Sequence, residues 1–421
     1  MVAILRHFLG RLVKFGRLNV EPFHGAAFQV GDGKGPSCAI RFTDAGAAFA
    51  FMRDPELAAG ELYMDGRLEV ERGDIYDFLA LAAINTIDYR PPLWIDFLQK
   101  LRRRAVWLGP GNRPNSARKN VAHHYDLDQR LYRLFLDQDL QYSCAYFETP
   151  EMGLDAAQLA KKRHIAAKLA IEPGQKVLDI GCGWGGAALY LASVCGAEVL
   201  GVTLSREQLG VARKRAQDAG LAGRARFALE DYRQTKGRFD RIVSIGMFEH
   251  VGPQYYDEFF ARIAGLLEEN GVALVHTIVH FRQPGPPGPW IEKYIFPGGY
   301  IPALSEITPS VEHAGLIVAD VEILRQHYAL TLAHWRKRFK RRRDEARALY
   351  GERFCRMWEF YLAGSEISFR LQGQCVAQIQ LVKRIDALPI TRNYIAEREA
   401  ALRIRESEAR SASPETAATA K

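Results

Sequence analysis

KVLDIGCGWGG, residues Lys176–Gly186, is the stretch on which the fold turns. A short apolar run ends in Gly181-Cys182-Gly183-Trp184-Gly185-Gly186, the G-x-G-x-x-G spacing of a loop that leads from a strand into a helix beside a nucleotide. The spacing alone does not choose the ligand. Asp179, two residues before Gly181, stands at the strand end and points toward whatever the loop holds. A dinucleotide would set its pyrophosphate beside that carboxylate and be repelled, whereas a ligand carrying an ammonium and a sulfonium would be attracted. S-adenosylmethionine carries both cations.

The next strand supports that choice. A dinucleotide site wants an acidic residue about 20 residues on, to bind the ribose hydroxyls. Here the place reads GVTLSREQ, with Thr203 and Ser205 instead of an acid, and Gln208 one turn into the helix supplies a ribose contact. After the third strand, LEDYR brings Asp231, which either meets an adenine amino group or caps a turn.

Working outward, apolar strands KVLDI, EVLGVT, ARFALE, RIVSIG and VALVHTIV alternate with amphipathic helices, including 205–219 and 254–268. This alternation predicts an α/β fold with a doubly wound, mostly parallel sheet whose ligands sit at the carboxyl ends of the strands, and the methyl-donor reading of the loop makes it a Rossmann-like class I methyltransferase domain. The domain occupies 121–400. Before it, residues 1–105 read as a smaller α+β domain, with apolar segments AAFQV, CAIRFT and AAFAFM and a helical DIYDFLALAAIN. A Gly/Pro/Asn-rich basic linker covers 106–120, and 401–421 read as a disordered tail. The Pro/Gly-rich segment 282–302 is too long for a turn and reads as a functional cover.

Composition narrows the classes. At 421 residues, 48% hydrophobic and 25% charged, the chain has the makeup of a globular protein. Six cysteines without C-x-x-C or metal-type spacing argue against a disulfide framework and a zinc site, and no metal is expected. A reduced cytoplasmic setting follows. No apolar run approaches the about 20 residues that span a bilayer. The N-terminal Leu5, Phe8, Leu9 and Leu12 fall at helical spacing, a stripe that serves either core packing or membrane contact. The net charge of +8 favours an anionic partner surface, nucleic acid or acidic lipid. Seven cations lie within 336–343, either as a solvated helix face or as a contact for anionic headgroups.

HHYDLDQRLYRLFLD (123–137), QYSCAYFE (141–148), VLDIGCGWGG (177–186), GVTLSREQ (201–208), FDRIVSIGMFEHVG (239–252), HTI (276–278), WIEKYIFPGG (290–299) and HYALTLAHW (327–335) occur in this order. Together they resemble the cyclopropane-fatty-acyl-phospholipid synthases, which add a methylene bridge from S-adenosylmethionine across a lipid double bond. The resemblance covers about 120–385, and the N-terminal segment more loosely resembles the lipid-binding domain of the longer bacterial members. It implies cofactor contacts from Tyr142, Ser143, Asp179, Gly181, Gly183, Gly185, Thr203, Leu204, Gln208, Asp231 and Tyr232. It also implies a bicarbonate ion held by Cys144, Glu249, His276, Ile278 and Tyr328. The implied partners are an unsaturated phospholipid and an anionic phospholipid membrane surface, with the protein cytoplasmic and peripheral to the inner membrane. A homodimer is compatible with the resemblance.

The chemistry calls for such groups. An alkene is a weak nucleophile, so the enzyme must hold it in line with the sulfonium methyl. Methyl transfer leaves a carbocation, a base then removes a proton as the ring closes, and water must be kept out. Aromatic faces stabilise such a cation, and Tyr125, Tyr142, Tyr146, Phe147, Trp290 and Tyr294 are either this or ordinary core. Loss of a different proton would give a methyl or methylene branch, and no motif separates the two outcomes. One departure stands out: Ser365 in YLAGSEISFR occupies the place where many relatives carry a cysteine. A nucleic-acid amino-methyltransferase would carry Asn or Asp followed by Pro-Pro and an aromatic after the fourth strand, and this chain has GMFEHVG, so no nucleic-acid partner is expected.

Overall fold

A computed structural model describes residues 1–86, 129–282 and 284–411. The expected linker 106–120, Tyr125 and the first residues of the HHYDLDQ motif lie outside them.

The N-terminal part is built from α1 (Val2–Leu12), β1 (Arg17–Glu21), β2 (Phe28–Val30), β3 (Ser37–Phe42), α2 (Ala45–Arg53), α3 (Pro55–Met64), β4 (Leu68–Arg72) and α4 (Ile75–Thr86). The strands form one sheet, in order β2-β1-β3-β4. Strand β3 alternates as an extended chain must, burying Cys38, Ile40 and Phe42 on one face. Helix α1 turns Leu5 and Leu9 into the core, so the N-terminal stripe serves packing. AAFAFM is helical, because Asp44 accepts from the Ala47 N–H at 2.9 Å and caps α2.

The remainder comprises α5 (Gln129–Tyr132), α6 (Leu154–Lys168), β5 (Lys176–Ile180), α7 (Gly186–Ser193), β6 (Glu198–Thr203), α8 (Arg206–Asp218), β7 (Ala225–Leu229), β8 (Phe239–Ile245), α9 (Tyr256–Leu266), β9 (Leu267–His280), α10 (Pro289–Tyr294), α11 (Leu304–His313), β10 (Ile317–Leu324), α12 (His327–Arg341), α13 (Arg343–Tyr350), α14 (Glu352–Leu371), β11 (Gln374–Val382) and α15 (Asn393–Ser411). Seven strands form a sheet in the order β10-β11-β9-β8-β5-β6-β7. The run β7-β6-β5-β8-β9 is parallel, while β11 and β10 close one edge antiparallel. The five motif strands therefore form the parallel part, as their alternation with helices requires. The chain leaves β5 for β6 on one side and later returns to β8 on the other, so the crevice at the ends of β5 and β8 is where a ligand belongs.

Two basic regions take structural roles. Among the cations of 336–343, Arg336 pairs with Glu366, Arg338 with Asp155, Lys340 with Asp74, Arg342 with Glu345, and Arg343 with Glu352 and Glu359. The expected disordered tail is corrected over its first part, since α15 runs to Ser411 and lies on α6. Glu406 is buried there, binding Arg163 at 3.0 and 2.9 Å and accepting from the Tyr190 hydroxyl at 2.7 Å. Its polar neighbours made this segment read as solvated, but their charges are matched inside. Residues 412–421 lie outside the described part.

The cover segment includes α10, whose Trp290 is buried against Gly60 of α3 so closely that a side chain at residue 60 would overlap the indole. Glu61 accepts from Lys293 at 2.6 Å and from the Tyr294 hydroxyl at 2.8 Å. The Tyr300 N–H donates to the Glu249 carbonyl at 3.1 Å, so the cover reaches from the N-terminal domain to the end of β8.

Candidate active site

The loop after β5 works through its backbone. Gly181, Gly183 and Gly185 have φ of +82°, +54° and +82°, a region that favours glycine. Around the loop opens a pocket lined by Gln141, Tyr142, Ser143, Asp179, Gly181, Gly183, Thr203, Leu204, Gln208, Asp231, Tyr232 and Met247, among others. Every expected cofactor contact lies on it except Gly185. Gly185 itself packs closely, since a Cβ there would stand 2.8 Å from the Phe227 ring and 3.0 Å from Ala212.

Each polar side chain is held. Ser205 caps α8, accepting from the Gln208 N–H at 3.3 Å, and the Thr203 hydroxyl donates to Gln208 Oε1 at 3.1 Å. Asp231 both lines the pocket and caps a turn, with its oxygens on the Arg233 guanidinium at 2.9 and 2.7 Å. The Tyr142 hydroxyl shares a 2.7 Å hydrogen bond with that of Tyr361, and its ring stacks on Trp335 at 5.1 Å. Asp179 is 1% exposed, its Oδ2 has no partner among the described residues, and burial raises its pKa to about 7. A buried carboxylate without a counter-ion is costly. A cationic ligand removes that cost, which is the fit expected for the ammonium of S-adenosylmethionine.

The five residues expected at the bicarbonate line no part of this pocket. Gly246, on the pocket wall, donates its N–H to the His276 carbonyl at 2.8 Å, which joins the two regions. Glu249 is buried after β8, and its Oε1 accepts from the Ile278 N–H at 2.7 Å. Burial raises its pKa to about 7, and Oε2 has no partner among the described residues. His276 shares a strand face with Ile278 and is 2% exposed; burial pushes its pKa far down, so the ring is neutral. Its Nδ1 lies 3.3 Å from Gln378 Nε2, and its Nε2 has no described partner. With the Gln378 amide donating, the ring proton sits on Nε2.

Tyr328, at the start of α12, packs edge-on against Trp335 at 5.9 Å and against Phe369 at 4.5 Å. The Ala145 N–H donates to the Thr331 hydroxyl at 3.0 Å, tying the Cys144 segment to the same helix. The Cys144 thiol points to the Ala145 carbonyl at 3.3 Å, and burial drives its pKa up, which keeps the thiol protonated. Ser365 is half-buried on α14.

Of the described candidate aromatics, Tyr142 alone lines the pocket. Tyr146 is stacked between His164 and His327, Phe147 lies on His334, and Trp290 and Tyr294 belong to the cover. The sequence reading missed Lys161, Gln141, Tyr361 and Gln378. Lys161 is fully buried on α6, donating to Gln141 Oε1 at 2.5 Å and to Ser143 Oγ at 2.8 Å. Nothing in a helix reading AKKRH distinguishes it from a solvated cation.

Residues 112–379 match the family model of mycolic acid cyclopropane synthetase. The chain is 39% identical over 335 residues to a cyclopropane-fatty-acyl-phospholipid synthase of Escherichia coli, covering 80% of this chain and 85% of that one. It is 36% identical over 396 residues to a tuberculostearic acid methyltransferase of Mycobacterium tuberculosis, covering 90% and 91%. A solved mycolic acid cyclopropane synthase complexed with SAH and CTAB superposes with a TM-score of 0.59 at 34% identity, covering 63% of this chain and 97% of that one.

Proposed function

The chain belongs to the mycolic acid cyclopropane synthetase family of S-adenosylmethionine-dependent methyltransferases, and from that premise we propose that it converts cis double bonds of unsaturated phospholipid acyl chains to cyclopropanes. One observation carries the reading: Glu249 Oε2 and His276 Nε2 are both buried and without hydrogen-bond partners among the described residues, and the Ile278 N–H ties Glu249 to the strand that carries His276. A carboxylate acceptor and a neutral N–H donor on linked elements suit a small ion that is both donor and acceptor, and bicarbonate is one.

Bound there, bicarbonate supplies the base that takes the proton lost from the newly transferred methyl. Glu249 Oε2 would accept the ion's O–H and His276 Nε2–H would donate to its oxygen. The Ile278 N–H keeps the carboxylate aimed. Asp179 and the glycine loop orient the methyl donor, and buried Trp335 with the partly buried rings of Tyr142 and Tyr328 excludes water from the carbocation. Methyl transfer forms one C–C bond, proton loss frees a pair for the second, and the net addition is one CH2.

Peripheral contact with an anionic membrane is part of this reading. It is supported by exposed cations without described partners, Lys337 and Arg341 on α12 and Arg6 and Arg11 on α1. The same α1 exposes Met1 and Ile4, by 51% and 63%. No described helix is long and apolar enough to cross a membrane.

A second reading, methylation to a branched chain, is favoured by the likeness to the tuberculostearic acid methyltransferase. Purified protein, S-adenosylmethionine and vesicles of monounsaturated phospholipid decide between them. The expected product gains 14 mass units and resists mild hydrogenation as a ring does (mass of CH2, about 14). An alkene or a saturated branch would overturn the first reading, and no S-adenosylhomocysteine release would overturn both.

A further inference from the structure

The buried ammonium of Lys161 has no role in the steps above. It lies under the Gln141–Ser143 segment at 0% exposure, with Ser143 Oγ at 2.8 Å and Gln141 Oε1 at 2.5 Å, and it forms no ion pair among the described residues. Asp139 is already matched, taking Lys162, Arg215 and the Gln141 amide, the last at 3.0 Å, whereas buried Asp137 has no ion pair among the described residues and acts on Lys161 without touching it. Asp137 is engaged by the Gln141 N–H at 2.7 Å. Glycine at 186 makes room, since a side chain there would overlap the Gln141 amide. Gln141, Ser143 and Asp179 all face the cofactor pocket.

We propose that Lys161 is the positioning residue that builds the carboxylate end of the methyl-donor pocket, acting through Ser143 and Gln141, while Asp179 receives the ammonium. The chemistry follows from donor counting. Ser143 Oγ spends a lone pair on Lys161, so its own O–H proton is directed elsewhere, toward an acceptor. A carboxylate within the field of the ammonium is that acceptor, and it neutralises a buried charge that has no contacting counter-ion. Burial also lowers the Lys161 pKa to about 8, so an arriving anion strengthens its protonated form. The inference rests on the family's use of S-adenosylmethionine and is independent of which acyl product forms.

Calorimetric binding tests it with three probes: S-adenosylhomocysteine, its decarboxylated analogue, and 5′-methylthioadenosine, which lacks the amino-acid moiety. For Lys161→Met, the Kd of S-adenosylhomocysteine is expected to rise about tenfold or more, while the other two stay within about twofold. Equal weakening of all three would assign Lys161 to general support of the pocket and overturn the proposal, as would no change. Should Lys161→Met fail to fold, Ser143→Ala decides. Selective loss of the carboxylate-bearing probe supports the proposal, and equal or absent loss overturns it.

Discussion

The Ile278 main-chain N–H donates to Glu249 Oε1 at 2.7 Å, joining the end of β9 to the turn after β8. That bond leaves the second carboxylate oxygen aimed and unspent. Glu249→Gln keeps the shape and the Ile278 contact but replaces an acceptor by a donor or weakens its basicity. Turnover should fall about 100-fold or more while S-adenosylhomocysteine binding stays within about twofold. Single-turnover kinetics and calorimetry check it; equal loss of both would remove Glu249 from the chemistry.

The same carboxylate gives a pH signature in unliganded protein. Folded Glu249 holds its proton up to about 7, against 4.5 for an ordinary glutamate. Between these values the folded state binds more protons than the unfolded state, so this group subtracts stability as pH rises through the interval and adds no further loss above it. Glu249→Gln lacks that loss. Its denaturation midpoint should therefore gain on the parent between about pH 4.5 and 7, by up to about 3 kcal/mol, and hold steady beyond. A constant difference from pH 5 to 8 would contradict it.

Gly186→Ala places a methyl against the Gln141 amide and the Asp139 carboxylate. Helical φ and ψ at 186 tolerate alanine, so the cost is overlap rather than backbone strain. Stability should drop by about 1–3 kcal/mol. Affinity for S-adenosylhomocysteine should weaken with it, because Gln141 lines the pocket. Urea melts and calorimetry read the two effects separately.

Glu406→Ala strips Arg163 and Tyr190 of their shared partner in a buried place. Removing one member of such a pair costs about 3–5 kcal/mol, since the remaining charge stays buried. The urea midpoint should fall accordingly, and replacement at exposed Glu408 of the same helix should leave it nearly unchanged.

Periodicity carried most of the catalytic fold. Val177–Ile180 and its four companion strands announced themselves because a parallel strand is apolar on both faces. The antiparallel edge was harder. Ile317–Leu324 is a largely exposed strand with Asp320 and Glu322 in it, and its pairing with β11 depends on residues far along the chain. The pocket was legible through Asp179 and the glycines, since loop geometry and charge are local. Lys161 was not, because α6 buries Lys161, Lys162, Arg163, His164 and Lys168 together, and only the tertiary partners distinguish such a helix from a solvated one. The same blindness made the segment holding Glu406 look like a tail. His276 illustrates the reverse: a lone histidine on a strand reads as core, and the HTI motif singled it out.

Gly60 against Trp290 has a mechanical consequence. With the indole seated on bare backbone and Glu61 gripping Lys293 and Tyr294, α10 cannot flap as an independent hinge. Any displacement of α10 therefore pulls on α3, so the Pro/Gly-rich segment and the N-terminal domain are mechanically one piece at this seam.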